Sequence, residues 1–159
     1  MKGTACFLMR RCFSQASRGA GAKHVRVLGV GINDADYTVY KTIYEIDDSG
    51  KKRKVRYKCP LFTKWYSMMY KCYATSPSMQ RKRNEMEGGQ PSVCAEWHMF
   101  SNFRHWLLSL GLGEMELSKR VLDKDIVQFD VEEVDKIYSP STCLLVTKSV
   151  FPVSRYVRA

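Results

Sequence analysis

The sequence lacks the patterns that would identify a membrane protein, a zinc protein or a dinucleotide-binding protein. No run of about eighteen apolar residues occurs, so no segment is expected to span a membrane. No C-x-x-C pair occurs, so the strong zinc signal is missing. Gly29-Val30-Gly31 is not followed by a third glycine, which excludes a Rossmann fingerprint and favours a tight bend after a first strand. The cysteines, which we expect to be buried free thiols rather than a scattered zinc site, stand at positions 6, 12, 59, 72, 94 and 143.

Acidic residues are also few. The chain has 16 aspartates and glutamates against 26 lysines and arginines, which gives a formal net charge of +10. Such a charge on 159 residues favours a polyanionic partner, either nucleic acid or an anionic membrane surface. We interpret it as nucleic acid, with DNA favoured and RNA as the alternative. A basic surface that only confers solubility would have the same composition.

Residues 1–23 contain no acidic side chain but have five basic ones, together with serines and small residues. This composition is typical of a mitochondrial transit peptide. It is equally typical of a disordered basic arm that follows phosphates. Both interpretations stay open.

Residues 24–58 are predicted to be rich in β-structure. Apolar and aromatic residues over 37–46 indicate a strand, 47–50 a turn, and 51–57 a returning strand. The returning segment is strongly basic, so the hairpin is a candidate nucleic-acid surface with tyrosines nearby for stacking. An edge strand protected from aggregation by its lysines is the alternative. The candidate binding residues are Lys51, Lys52, Arg53, Lys54, Arg56 and Lys58.

Two amphipathic helices are predicted in the centre of the chain. The first begins at Pro60 and ends before Ser76-Pro77, and the second covers residues 97–110. Between them, residues 74–92 are predicted to form a polar, mobile loop, whose basic residues suit phosphate contact. A solvated loop is the alternative. The buried stripe of the first helix comprises Leu61, Trp65, Met69 and Cys72, and the basic loop residues are Arg81, Lys82 and Arg83.

The segment from Val121 to Phe151 indicates a strand, a long loop, a second strand and a short final helix. Asp123, Lys124 and Asp125 stand at the end of the first strand. They are either part of a catalytic site that binds a metal or a surface ion cluster that closes a β-turn.

Several segments, spread over about three quarters of the chain, together resemble the HNH (ββα-metal) nucleases, in particular the phage HNH-like homing endonucleases. The first is Gly29-Val30-Gly31-Ile32-Asn33-Asp34-Ala35-Asp36-Tyr37, and the middle ones are Cys59-Pro60 with Trp65, Met69 and Cys72-Tyr73, then Val93-Cys94, Glu96-Trp97, Phe100, Phe103 and Trp106. The last are Leu122-Asp123-Lys124-Asp125 and Tyr138-Ser139-Pro140.

The resemblance implies a divalent metal such as Mg²⁺ at Asp123, with Asp125 as a further carboxylate. The position of the family's general-base histidine is occupied by Lys124. The second metal ligand, which the family places eleven residues past Pro140, corresponds to Phe151, whose side chain cannot bind a metal. A lysine acts as a base only if its pKa is strongly lowered, and flanking carboxylates oppose this.

We therefore predict an α+β chain with an N-terminal β-hairpin or meander, two central amphipathic helices and a C-terminal ββα-metal (HNH-like) unit. The units are residues 1–23 (arm or transit peptide), 24–58 (β-rich hairpin region) and 59–159 (helical and HNH-like region). The predicted function is nucleic-acid binding with weak or no nuclease activity, in the cytoplasm of a phage-infected host. The alternatives are an active metal-dependent DNA endonuclease, and a structural RNA-binding subunit of a mitochondrial ribonucleoprotein, such as the ribosome, in the matrix.

Overall fold

A computed structural model describes residues 24–86 and 89–147, and these residues form an α+β structure. The predicted final helix and the arm over residues 1–23 lie outside this part. Among the described residues, no helix is long and apolar enough to cross a bilayer. The helices are α1 (Pro60–Tyr73), α2 (Pro77–Met86), α3 (Phe100–Ser109) and α4 (Glu114–Lys119), with 3₁₀ turns at Ala95–His98 and Glu133–Asp135. The strands are β1 (Val25–Val27), β2 (Gly31–Asn33), β3 (Tyr40–Ile46), β4 (Lys52–Lys58), β5 (Ser92–Val93), β6 (Arg120–Asp123), β7 (Ile137–Tyr138) and β8 (Leu144–Thr147).

The predicted N-terminal β region consists of two separate hairpins, β1–β2 and β3–β4, rather than a meander. Residues 28–30 connect β1 to β2, and Leu28 and Gly29 have positive φ, as the two central residues of a type I′ turn require. The bend expected at these glycines is therefore confirmed. The backbone of Gly31 packs against the core, because a Cβ at this position would come within 2.9 Å of Cη2 of Trp65. The carboxylate of Asp34 then accepts hydrogen bonds from Ser101 N (2.8 Å) and Oγ (2.5 Å), which fixes the first turn of α3.

Helix α1 confirms the predicted apolar stripe. All four stripe residues are fully buried. Pro60 occupies the first turn, where its missing N–H has no consequence, and the helix ends at Tyr73 before an extended Ala74. The helix contributes one wall of a continuous apolar core that also includes Phe100, Phe103 and Leu107 of α3.

The second predicted helix was placed too early. Residues 95–98 form a 3₁₀ turn, and Met99 is extended before α3 begins at Phe100. Met99 forms an isolated parallel bridge with Ile32 of β2. A contact with a residue distant in the sequence therefore interrupts what the local pattern presents as one helix. Leu110, the last residue of the predicted helix, is 43% exposed.

Residues 74–92 were predicted to form a loop. This prediction was wrong, because the segment contains helix α2. The helix is strongly polar and has little amphipathic character, so its sequence has no apolar stripe to indicate it. Arg83 attaches it to the end of α1. This side chain is 6% exposed, and its guanidinium donates to the carbonyls of Ala74 (2.7 Å), Lys71 (3.2 Å) and Cys72 (3.5 Å).

In the C-terminal part, the predicted strand–loop–strand is confirmed. β6 pairs with β8 in antiparallel register, with Arg120 opposite Thr147 and Asp123 opposite Leu144. β5 and β7 form a separate parallel pair, which joins the loop before Trp97 to the region before β8. The final helix of the expected ββα unit lies outside the described residues, so that unit stays a prediction.

We expect Arg83→Gln to lower the free energy of unfolding by about 2 kcal/mol, because a charged donor then no longer satisfies the last carbonyls of α1. Lys82→Gln is the control on the same helix, since Lys82 is exposed, and its effect should stay within about 0.5 kcal/mol. Urea unfolding followed by tryptophan fluorescence measures both. Equal effects of the two substitutions would contradict the capping role.

Candidate nucleic-acid interface

The register of the β3–β4 hairpin divides its basic residues between two faces. Tyr40 lies opposite Lys58, and Ile46 lies opposite Lys52. Because alternate residues of a strand point to the same side, four cations of β4 share one face. We call this surface the basic face. It comprises Lys52, Lys54, Arg56 and Lys58 on β4, with Ile46, Tyr44, Thr42 and Tyr40 opposite them on β3.

The basic face is open to solvent along its length. All four cationic residues are exposed, and so are Tyr44 (67%) and Ile46 (70%) between them. The ammonium group of Lys58 lies 5.9 Å from the centre of the Tyr40 ring. None of the eight residues of this face is acidic. The surface thus combines an unbroken row of positive charge with aromatic side chains.

The opposite face of the hairpin has a mixed character. Arg53 pairs across the strands with Glu45, which accepts a hydrogen bond from Tyr57 Oη at 2.5 Å. Ile43 and Val55, which lie next to the Arg53–Glu45 pair on the side of the hairpin base, are half-buried. Arg53 therefore belongs to the hairpin but not to its basic face.

Lys51 belongs to the turn at the hairpin tip. Its backbone N–H donates to Asp47 Oδ1 at 3.0 Å, and the Ser49 hydroxyl donates to the same oxygen at 2.5 Å. The bond from Ser49, followed by the one from Lys51, lowers the pKa of the Asp47 carboxyl. Asp47 thereby organises the turn that fixes the register of the two strands.

At its base, the basic face meets an aromatic row on α1. The Tyr40 ring contacts Phe62 edge-on, with centroids 5.5 Å apart. Phe62 stacks on Tyr66 at 6.3 Å, and Tyr66 stacks on Tyr70 at 6.1 Å. Burial, followed by the neighbouring Tyr66, raises the pKa of Tyr40, which keeps its phenol neutral. These contacts anchor the hairpin on the core and extend its surface with rings.

The three basic residues predicted on a loop do not act as a group. Arg81 and Lys82 are exposed on α2, whereas Arg83 holds the end of α1. The hairpin therefore presents a continuous row of accessible cations, whereas the predicted basic group on α2 presents only Arg81 and Lys82.

The predicted catalytic loop follows β6 and is largely buried. Asp123 is 3% exposed, and its Oδ1 accepts the backbone N–H groups of Asp125 (2.8 Å) and Ile126 (2.9 Å). This arrangement is an Asx turn, in which the carboxylate replaces a backbone acceptor. Asp123 thus holds the bend that directs Lys124 inward.

Two lysines and two carboxylates form a closed network behind this bend. Lys124 Nζ lies 2.5 Å from Glu133 Oε1 and 2.9 Å from Asp125 Oδ1. Lys136 Nζ lies 2.6 Å from Asp125 Oδ1 and 3.0 Å from Glu133 Oε2. Lys136 is fully buried and Glu133 is 8% exposed, so each charge depends on the others for compensation. The predicted surface ion cluster is in fact mostly interior.

The network fixes the charge state of Lys124. Burial lowers the pKa of its ammonium group, but the bonds to Glu133 and Asp125 outweigh burial and raise it overall. In the same way, burial raises the pKa of Asp125, and the bonds from Lys136 and Lys124 lower it overall. A protonated lysine cannot accept a proton from water, so this geometry disfavours Lys124 as a general base.

Metal binding has little support in the described residues. No group of three or more histidine, cysteine, aspartate or glutamate side chains within 24–86 and 89–147 is arranged to hold an ion. Asp125 faces two ammonium groups, which compete with any cation. The four described cysteines are free thiols, and Cys59, Cys72 and Cys143 are buried. Position 151, where the family has its second ligand, lies outside the described residues.

Comparison of the chain with protein-family models, curated proteins and solved structures yields no match. The site residues that the sequence did not indicate are Glu133 and Lys136. They are three residues apart in a loop, where such a pair ordinarily lies in solvent. No local sequence signal shows that Lys136 will be buried. Its burial depends on Asp125 and Glu133, which lie next to it only in the folded chain.

We expect Glu133→Gln to lower the free energy of unfolding by about 3 kcal/mol, because two buried ammonium groups would then share Asp125 alone. Adding Lys136→Met should recover about 1 kcal/mol or more, since one lysine then faces one carboxylate. Urea unfolding of the two single variants and the double variant measures this coupling. Strictly additive losses would show that the network is not a unit.

Proposed function

We propose that the chain binds nucleic acid through the basic face of its β3–β4 hairpin. The observation that carries the proposal is the register, which places four exposed cations on one side of a ribbon and the only acidic residue of its strands, Glu45, on the other. A row that served only to protect an edge from aggregation would not need this separation. Tyr40 and Tyr44 on the same face offer rings beside the cations.

The shape of the hairpin favours DNA over RNA. Residues on one side of a strand repeat at about 6.8 Å, so the row extends over roughly 20 Å. The major groove of B-DNA admits a two-stranded ribbon, whereas the major groove of an A-form RNA helix is too narrow. Cations on the ribbon would then contact the phosphates on the groove edges, which gives affinity with little sequence preference.

The HNH-like scaffold remains part of this proposal. The antiparallel β6–β8 pair, with Asp123 at the end of β6, supports the likeness to a ββα-metal unit. The buried, charged Lys124 supports a scaffold with weak or no nuclease activity. We therefore propose that the activity is nucleic-acid binding rather than phosphodiester hydrolysis.

The double variant Lys54→Gln/Arg56→Gln should weaken binding to a duplex DNA by at least about tenfold at low salt. It should also reduce the slope of log affinity against log salt by about 2, because two phosphate contacts are lost. Fluorescence anisotropy with labelled DNA over a salt series measures both quantities, and duplex RNA of the same sequence is compared in parallel.

The matched control is Lys41→Gln/Arg53→Gln, which removes the same charge from the opposite face. Its slope should stay close to that of the unmodified protein. Equal slopes for the two double variants would contradict the basic face as the site. Tighter binding to the RNA duplex would instead support the ribonucleoprotein alternative.

The charge state of Lys124 makes a separate prediction. Supercoiled plasmid incubated with the protein and Mg²⁺ or Mn²⁺ should remain uncut, because Lys124 stays protonated and cannot act as the base. Agarose electrophoresis over a time course measures this, with EDTA and Lys124→Met as controls. Nicking that requires the metal and disappears in Lys124→Met would establish the endonuclease alternative.

A further inference from the structure

The connection between β6 and β7 presents an exposed phenylalanine at the tip of a turn. Phe129 is 76% exposed, the highest value among the large apolar side chains that the structure describes. The N–H of Val131 donates to the Gln128 carbonyl at 3.2 Å, and this bond closes a turn with Phe129 and Asp130 at its centre. Val134, further along the same connection, is 57% exposed. This segment therefore has an apolar surface that no described part of the chain covers.

Gln128 fixes the position of this turn. The residue is 6% exposed, and its Nε2 donates to the carbonyls of Lys124 (2.9 Å) and Ile137 (3.0 Å). Its Oε1 accepts a hydrogen bond from the N–H of Ile137 at 3.0 Å. One inward side chain thus ties both ends of the connection together, and Phe129 stands in solvent on a fixed backbone. Packing against a partner would remove this apolar surface from water.

The exposed charges of the same segment are all negative. Asp130, Glu132 and Asp135 are exposed, and the only basic residue between positions 125 and 138, Lys136, is fully buried. Lys136 pairs inward with Glu133, three residues before it. Glu132 and Asp135 have the same spacing one residue earlier across the 3₁₀ turn, so they share a different side. None of the three exposed carboxylates forms an ion pair within the described ranges. We call residues 127–135 the acidic loop.

The basic face of the hairpin complements the acidic loop in charge and in apolar character. It presents four exposed cations and no acid, with Tyr44 and Ile46 in solvent between them. The acidic loop presents three exposed carboxylates beside Phe129 and Val134. Both surfaces are exposed in the same chain, so neither covers the other within one molecule. Opposite charges around exposed aromatic and aliphatic side chains are what a small protein–protein interface requires.

We propose that the acidic loop of one copy of this chain docks on the basic face of a second copy. Phe129 packs against Tyr44 and Ile46 of the second copy, and the carboxylates of the loop meet Lys54 and Arg56. The contact joins two different surfaces, so each copy keeps a second surface through which association continues head to tail. Both surfaces are small, so the association is weak and decreases with salt. Docking covers the basic face, which an associated copy therefore cannot offer to nucleic acid.

Sedimentation velocity of the full chain over a series of protein concentrations tests this association. No nucleic acid is present, so the result does not depend on the proposed function. The average mass should rise with concentration at about 50 mM salt and fall toward that of the monomer at about 500 mM. Phe129→Ser/Asp130→Asn should weaken the association by at least about tenfold, because it removes the aromatic contact and one carboxylate. A chain that stays monomeric at low salt would overturn the proposal.

The matched control is Met115→Ser/Asp36→Asn, which removes an exposed apolar side chain and an exposed carboxylate outside the acidic loop. It should associate as the unmodified protein does. The substituted side chains of both double variants are exposed, so each variant should keep its fold, which urea unfolding checks. Equal weakening by the control would show that general surface charge, and not the acidic loop, carries the association, and would overturn the docking site.

Mixing two defective variants decides which surfaces meet. Lys54→Gln/Arg56→Gln keeps the acidic loop, and Phe129→Ser/Asp130→Asn keeps the basic face, so each alone should stay monomeric where the unmodified chain associates. An equal mixture contains one intact loop and one intact face and should form a heterodimer that grows no further. Association of the hairpin variant alone would indicate a contact between two loops. That result, or a mixture that stays monomeric, would overturn the proposal.

Discussion

The packing of Trp65 connects most of the described structure. Its indole Nε1 donates to the Trp97 carbonyl at 2.7 Å, and its ring lies 5.6 Å from Phe100 and above Gly31. One fully buried side chain thus joins α1, the 3₁₀ turn, α3 and the first hairpin. An aromatic ring with a satisfied polar atom stabilises such a junction through both packing and a directional bond. Gly31 is required there because the ring approaches the backbone itself.

The C-terminal part is organised by charge rather than by apolar packing. Three ionised groups, Lys124, Asp125 and Glu133, surround the fully buried ammonium group of Lys136. An arrangement of the loop that separated these groups would leave a buried charge unpaired. Lys124 and Asp125 stand where the resemblance implies a base and a further metal-binding carboxylate. Here, the two side chains neutralise each other's charge. This is why we propose binding rather than cleavage.

The parts of the fold that follow from local pattern were predictable, and the parts set by distant contacts were not. The helical period of α1 and the strand alternation of β3 and β4 are written in neighbouring residues, so both were found. Helix α2 has no apolar stripe and depends on Arg83 reaching back to α1. The break at Met99 depends on Ile32, far away in the chain. For the candidate site, the basic hairpin was predictable, but the burial of Lys136 depends on residues that only the fold brings near.

The distribution of the positive charge argues against a purely solubilising role. A basic surface that only prevents aggregation works best when charges are dispersed and mixed with acids. Here, Glu133 is paired inside the loop network, and Glu45 lies on the mixed face of the hairpin. The basic face of the hairpin, by contrast, contains no acidic residue. Concentrating charge of one sign raises self-repulsion in the folded state, which a phosphate ligand would relieve. We therefore propose an anion as the partner of the basic face.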